Sequence, residues 1–235
     1  MYKNSGFCRA IIHRAINVMM CRRGRFRRTN MTDTNILENK AGNDIVVSPL
    51  RIDDDYSTVA RLIYGTDAYI YPYLFGEYGE MGQRVITSMI ELDTLYNAKN
   101  ITVAKLDGAI VGMIVSKAHP VVIDRSQMEL AYTSNGYQPD EKFEKVYNDY
   151  FRLLENEPEG TYIANVCVDP NMRGKRIGRT MLAQFLKPDV EYHLETVKAN
   201  PAACGLYKSM GFHIDSEYPG FLSVPCYRMS RRASV

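Results

Sequence analysis

The sequence predicts an α/β sandwich built on a mixed sheet. Three observations carry that reading. Strand and helix signals alternate along the chain in the order β-α-α-β-β-α-β-α-β-α-β-β. Two β-rich runs meet at a two-residue Asp107-Gly108 turn. A buried strand, a basic loop and an amphipathic helix follow one another between residues 162 and 186. Such alternation places helices over a sheet and disfavours a helical bundle or a closed barrel.

The elements follow in order. Residues 45–50 read as a first strand, ended by Pro49. Asp53, Asp54 and Asp55 come next, and acids suit the electropositive start of a helix. That helix runs to about Ile63 and stops at Gly65. Residues 69–79, rich in Tyr, Pro and Gly, read as a loop. Over 80–98, Met81, Val85, Met89, Leu92 and Tyr96 recur at steps of three and four, the helical period. Residues 101–105 and 109–117 form a hairpin, because Asp-Gly favours the tight turns that join antiparallel strands. Residues 141–155 carry Phe143, Val146, Tyr147, Tyr150, Phe151 and Leu154 on one helical side, before Pro158 and Gly160 break the pattern. A strand at 162–168, a helix at 177–186 stopped by Pro188, a strand at 191–197 and a helix at 201–210 follow. Residues 211–215 and 223–229 close the chain as strands.

Composition narrows the classes of function. The hydrophobic and charged fractions, 46% and 24%, are those of an ordinary globular protein. No apolar run reaches the roughly 18 residues of a membrane span. The five cysteines, Cys8, Cys21, Cys167, Cys204 and Cys226, contain no CxxC pair and are odd in number. That disfavours a disulfide framework or a zinc site, and a reducing cytoplasm is the expected location. The net charge of +2 hides an asymmetry: residues 1–30 hold eight Lys/Arg and no acid. The remainder, 21 basic against 27 acidic residues, is mildly acidic, so nucleic acid is not an expected partner of the body. The basic segment 1–30 is expected to be a disordered extension outside the working protein, with a transit peptide or a nucleic-acid arm as the other readings. Residues 31–235 are expected to form one domain.

The sharpest local signal is Val166-Cys167-Val168-Asp169-Pro170-Asn171-Met172-Arg173-Gly174-Lys175-Arg176-Ile177-Gly178-Arg179. A strand ends at a proline, a glycine-containing loop with basic residues follows, and a helix begins. The first N–H groups of a helix lack intrahelical partners and point at whatever lies beyond its end. A loop of this kind therefore suits phosphate or pyrophosphate. It has neither the GxxxxGK[ST] spacing of a P-loop nor GxGxxG. Taken alone, it is equally readable as a turn with solvated charges.

A second segment decides between those readings. Asn200-Pro201-Ala202-Ala203-Cys204-Gly205-Leu206-Tyr207-Lys208-Ser209-Met210-Gly211-Phe212 meets N-x-x-A-x-x-x-Y-x-x-x-G-F at Asn200, Ala203, Tyr207, Gly211 and Phe212. The first segment resembles Q/R-x-x-G-x-G/A through Arg173 and Gly178. In that order and spacing, across residues 162–212, the pair resembles the signatures of the GCN5-related N-acetyltransferase (GNAT) family. One departure is that Arg176 replaces a fixed glycine. Glycine there could serve a positive φ or close approach to the ligand. The expectation is that position 176 only donates its N–H, which Arg tolerates.

The resemblance implies a mostly antiparallel mixed sheet splayed between the strands at 162–168 and 191–197. It implies acetyl-CoA as co-substrate, with no metal. The pantetheine arm would lie in the splay against backbone of Val166 and Val168. The pyrophosphate would meet Arg173, Gly174, Lys175, Arg176, Gly178 and Arg179, and Asn200 would hold the arm from the far side. Tyr207 stands where the family carries the tyrosine that protonates the departing thiolate. The general base stays open among Glu77, Glu80, Glu91, Glu129 and Glu195. His119, His193 and His213 show no nucleophile pairing, and Cys167 has no paired histidine. The aromatic stretch Tyr64, Tyr69, Tyr71, Tyr73, Phe75 and Tyr78 lines either the acceptor site or itself. The expected partner is an amine acceptor, small molecule or protein; no membrane is expected, and a homodimer is allowed. Two alternatives stand beside this enzyme: a member using another acyl-CoA, and a non-catalytic acyl-CoA-binding module.

Overall fold

The computed structural model describes residues 45–154 and 158–234; the basic segment 1–30 lies outside them. Seven strands form one open sheet in the order β1-β2-β3-β4-β5-β7-β6. These are β1 (Val46–Pro49), β2 (Ile101–Leu106), β3 (Ala109–Ala118), β4 (Thr161–Val168), β5 (Tyr192–Val197), β6 (His213–Pro219) and β7 (Pro225–Arg231). All neighbours pair antiparallel except β4 and β5, which are parallel. The β2–β3 hairpin turns on Asp107 and Gly108, at φ 51° and 80°, as the Asp-Gly pair requires.

Helices cover both faces. On one lie α1 (Tyr56–Tyr64), α2 (Ile70–Phe75), α3 (Glu80–Glu91), α4 (Arg125–Thr133) and α5 (Glu141–Leu154). On the other lie α6 (Ile177–Phe185) and α7 (Pro201–Ser209). Each face has its own core. Leu62, Ile63, Ile86, Ile90 and Met113 fill the first, and Ile114, Met181, Leu182, Leu194 and Met229 the second. Asp55 starts α1 as the acidic cluster suggested, its Oδ1 accepting the N–H groups of Ser57 and Thr58 at 3.0 and 3.1 Å.

Three expectations need correction. Residues 70–75 are a helix, not a loop, because Asp67 Oδ1 accepts the N–H groups of Tyr69 and Ile70 at 2.6 and 2.7 Å and so starts it. The helix expected over 80–98 ends at Glu91. Beyond it, Thr94 Oγ1 donates to Met89 O (2.7 Å) and Asn97 Nδ2 to Leu92 O (2.7 Å), so side chains take over the carbonyls that further turns would have used. Finally, α4 was not anticipated; Asp124 caps it through the N–H of Ser126 at 2.8 Å.

Candidate active site

The site begins with a break in the sheet. β4 and β5 pair only at Thr161, Tyr162 and Ile163, and then diverge. The cause is visible in β4's other edge. Val115 lies opposite Asn165 but Ser116 lies opposite Ile163, so Ala164 is an extra residue. A bulge of this kind bends its strand and re-aims the following side chains. Tyr162, Ala164 and Cys167 face the α1–α5 core, and Ile163, Val166 and Val168 face the α6–α7 core. Asn165 joins the first set, since its Nδ2 donates to Thr66 Oγ1 at 2.7 Å. The bulge therefore puts two successive side chains, Ala164 and Asn165, on one face just where the strands part.

Past the bulge, β4 offers its backbone to the gap. Asp169 N–H donates to Val111 O of the β3 side at 2.9 Å. Alternation along a strand then turns the N–H and C=O of Val168, and of Val166 two residues earlier, toward the gap. These groups suit the amides of an extended ligand arm.

The basic loop leads from this edge to α6. Asp169 orders it: its Oδ1 accepts Asn171 N–H at 2.9 Å, and its Oδ2 takes Arg61 of α1 at 2.9 Å. The Asn171 N–H and the Arg61 guanidinium hold the Asp169 carboxyl below the usual carboxylate range. Gly174 then adopts φ 80° and Arg176 φ 61°, ψ 11°. Position 176 does need positive φ, so the expectation that it only donates its N–H is corrected. Arg sits there in the left-handed region, a conformation costing roughly 1 kcal/mol for a residue with a Cβ. No side chain caps α6. The N–H groups of Ile177, Gly178 and Arg179 precede the first i→i−4 bond, made by Thr180 N–H to Arg176 O at 3.0 Å. They point outward from the helix start. Arg173, Lys175, Arg176 and Arg179 are exposed around it, and among the described residues none forms an ion pair. An uncapped helix end ringed by free cations fits a diphosphate.

Tyr207 and Asn200 belong to α7. Asn200 Oδ1 caps that helix through Ala203 N–H at 3.1 Å, which leaves its amide nitrogen for a ligand. Tyr207 is buried, its ring 5.9 Å from Phe212. Burial, and then the nearby Cys167 thiol, hold its hydroxyl above the ordinary tyrosine range. Tyr207 packs in the α6–α7 core together with Val166 and Val168 of β4. The Cys167 thiol itself is pushed up to about 11 by burial, which leaves it protonated and a poor nucleophile at neutral pH.

On the α1–α5 face the gap opens into a cavity of about 70 Å³. Asp67, Tyr71, Tyr150, Asn165, Glu195 and Tyr218 line it together with apolar side chains. Of the five candidate bases, Glu195 alone lines it. Its Oε1 accepts from Arg228 at 3.1 Å and its Oε2 from Tyr162 at 3.3 Å. Glu80 and Glu129 are instead paired with Arg84 and Arg125. Of the aromatic stretch, Tyr71 reaches this cavity, while Tyr64 stacks on Tyr78 at 4.9 Å and bonds Gly76 O. His193 is buried and its imidazolium disfavoured by desolvation; His213 lies 3.1 Å from Asp215 at the surface. Sequence reading missed Asp67, Asn165 and Tyr150. Only Asp67 had a local signal, as an acid three residues before a short helix.

Comparison with known proteins identifies the family and the fold. The profile of the acetyltransferase (GNAT) family matches residues 67–212, and the chain belongs to that family, whose fold and chemistry are those of an acyltransferase. An N-acetyltransferase from Staphylococcus aureus Mu50 superposes with a TM-score of 0.58 at 18% identity, covering 79% of this chain and 99% of its own. A second acetyltransferase superposes at 0.59 and 17% identity, covering 80% and 100%. These likenesses show the fold. A search of curated proteins finds no match. Among the described residues, no cluster of His, Cys, Asp or Glu is arranged to hold a metal, and no helix is long and apolar enough to cross a membrane.

Proposed function

We propose that this chain transfers an acetyl group from acetyl-CoA to a primary amine by direct attack. The observation that carries it is a coincidence in space: β4 parts from β5 at Ala164, beside an uncapped, cation-ringed helix start. The diphosphate fits the α6 N–H groups with Arg173, Gly174, Lys175, Arg176, Gly178 and Arg179 around it. The pantetheine amides fit the backbone of Val166 and Val168, with the Asn200 amide nitrogen opposite. A neutral amine then attacks the thioester carbonyl carbon from the α1–α5 side. The C–N bond forms, negative charge grows on the carbonyl oxygen, and an unpaired β4 N–H is suited to stabilise it. The C–S bond breaks, and Tyr207 gives its proton to the sulfur. Its raised pKa keeps that proton in place until the thiolate forms, and solvent restores it. The amine's own surplus proton leaves to solvent, so the net products are the amide and free CoA.

The test is direct. CoA at about 100 times its dissociation constant contributes roughly 2.7 kcal/mol, a rise in melting temperature of about 5–10 °C for a chain of this size. NAD and ATP should leave the melting temperature unchanged. A flat response to CoA sinks the reading.

A further inference from the structure

The cavity on the α1–α5 face holds a combination that the acetyl-transfer chemistry does not by itself explain. Its lining contains two carboxylates, Asp67 and Glu195, and no Lys, Arg or His. The two acids differ. Glu195 is already balanced by Arg228. Among the described residues, Asp67 is bound only by the two N–H groups that start α2, both on Oδ1, so Oδ2 keeps its acceptor capacity. Burial raises its carboxyl above the usual range, the signature of a charge without a compensating cation.

A second observation points to a donor ligand. Asn165, which the Ala164 bulge aims to the same side, lines the cavity with its Oδ1 buried and, among the described residues, without a hydrogen-bond partner. Its Nδ2 is committed to Thr66, which fixes the orientation of the amide. An orphaned buried acceptor is costly unless something donates to it. Around these acceptors stand the rings of Tyr71, Tyr150, Tyr162, Tyr218 and Phe221. Tyr71 donates to Tyr96 at 3.0 Å, and Tyr96 bonds Tyr150 at 2.6 Å, so the wall is held rigid by a chain of hydroxyls. Burial holds the hydroxyls of Tyr71, Tyr96 and Tyr150 above the ordinary range, so they stay neutral and do not compete for a cation. Cys226 is likewise pushed up to about 11 by burial and stays a thiol. Arg228 occupies Glu195 and the Tyr218 ring (5.3 Å), which leaves Asp67, Asn165 and the remaining aromatic faces, the chemistry that recognises an ammonium group.

We infer that the cavity takes a small-molecule primary amine with an apolar body, an alkyl or aryl-alkyl ammonium, and that Asp67 is its anchoring carboxylate. The inference rests on the proposed acetyl transfer and names the acceptor class for it. A protein N-terminus fits less well. An extended peptide would need the β4 and β5 edges of the gap, which the pantetheine arm is proposed to occupy, whereas a small amine needs only the side chains of the lining.

Butylamine, phenethylamine and a hexapeptide with a free alanine N-terminus serve as probes on the full chain. Calorimetry without CoA reads amine binding, and thiol release from acetyl-CoA reads turnover. Both small amines should bind, and their kcat/KM should exceed that of the peptide by about tenfold or more. Asp67→Asn should weaken their binding by about tenfold or more and leave CoA affinity unchanged, since a charge-assisted bond becomes a neutral one. Asn keeps the acceptor that starts α2, so the variant should fold. Ala164→Leu gives an independent arm, because it fills the cavity from β4 and should block the small amines. Amine binding unchanged in both variants, or a preference for the peptide, overturns the inference. Absence of CoA binding by the unaltered chain instead removes the acetyl-transfer reading, while the amine calorimetry still decides the role of Asp67.

Discussion

The two sides of the β4–β5 gap present opposite chemistry. Toward α6 and α7, the proposed ligand-facing groups are backbone N–H donors and exposed cations from one continuous stretch, 166–179, with Asn200 and Tyr207 added from α7. Toward α1–α5, they are partly buried carboxylates, an amide oxygen and aromatic rings, gathered from five strands and helices and the loops between them. The first side is positive and open to water; the second is acidic and mostly enclosed by side chains. A single bulge at Ala164 shapes both, since β4 parts from β5 there and Asn165 turns to the α1–α5 face, as the two proposed ligands would require. The difference teaches that an anion can be held by local backbone geometry, whereas a cation in a half-dry cavity needs side chains brought from a distance.

The largest expected effect tests the point where the two sides meet. Tyr207→Phe keeps the ring that packs on Phe212 and removes only the hydroxyl. Steady-state kinetics should show kcat falling by about 10²–10³, with a much smaller change in the KM for acetyl-CoA. The loss should shrink with an acyl donor whose thiol leaves more easily. Wild-type kcat in this variant would return Tyr207 to a packing role and leave solvent to protonate the thiolate.

Gly178→Glu is next. A Cβ at Gly178 would rest 3.5 Å from Leu206 and Val168, ordinary contacts that do not prevent folding. The new carboxylate would sit on the free N–H groups of α6, where it favours the helix and repels a diphosphate. CoA affinity by calorimetry should drop about a hundredfold, roughly 2.7 kcal/mol, with amine binding to the opposite cavity untouched. Loss of both together would show that the two sides are not separable.

How much of this was legible in the sequence follows from the same contrast. The anion side is local, so the family resemblance could propose its residues from one continuous motif, with Val166 and Val168 as the backbone partners it implies. The hairpin, α1 and α5 were read from turn residues and periodicity, whereas the splay between β4 and β5 came only from the family resemblance. The acidic cavity was not legible as a unit. Asp67, Tyr150, Asn165 and Glu195 are scattered over 129 positions and meet only through topology. Helix α2 was missed because Pro72 and five aromatics look like a loop, and its start depends on one side-chain oxygen. The end of α3 was overrun because Leu92 and Tyr96 keep the helical period after the backbone has turned away. The positive φ at Arg176 was misjudged for a related reason: residue type argued against it, and the chain adopts it nonetheless.

A smaller effect concerns the support of the anion side. Asp169→Asn keeps the acceptor for Asn171 N–H but loses the ion pair with Arg61, which is half exposed and screened. The expected loss is about 0.5–1 kcal/mol at neutral pH. The sign with pH follows from the depressed carboxyl. Its contribution is fully present above the unfolded value near 3.9 and fades as pH falls through the lower folded value. Melting curves of the two proteins should therefore differ at pH 7 and converge toward pH 2. A gap that persists in acid would mean that the ion pair is not what Asp169 contributes.

The smallest effect sharpens the meaning of Arg176. Its backbone is left-handed at φ 61°, which costs a residue with a Cβ about 1–2 kcal/mol. Arg176→Gly removes that strain but adds roughly 0.5–1 kcal/mol of unfolded-chain entropy. The two nearly cancel, and the net expectation is a stabilisation of about 0.5 kcal/mol, a rise of about 1–2 °C in melting temperature. The same change takes one exposed cation from beside the helix start. An exposed charge acting on a diphosphate is worth little and is screened by salt. CoA affinity should fall about twofold to threefold at low ionic strength and approach the unaltered value near 1 M salt, where screening is complete within about 3 Å. A Gly variant that binds CoA more tightly at both salt concentrations would show that the arginine is tolerated there against the ligand's interest. A large loss that salt does not relieve would show that the guanidinium makes a direct bidentate contact instead, and the anion side would then depend on a side chain as much as on its backbone.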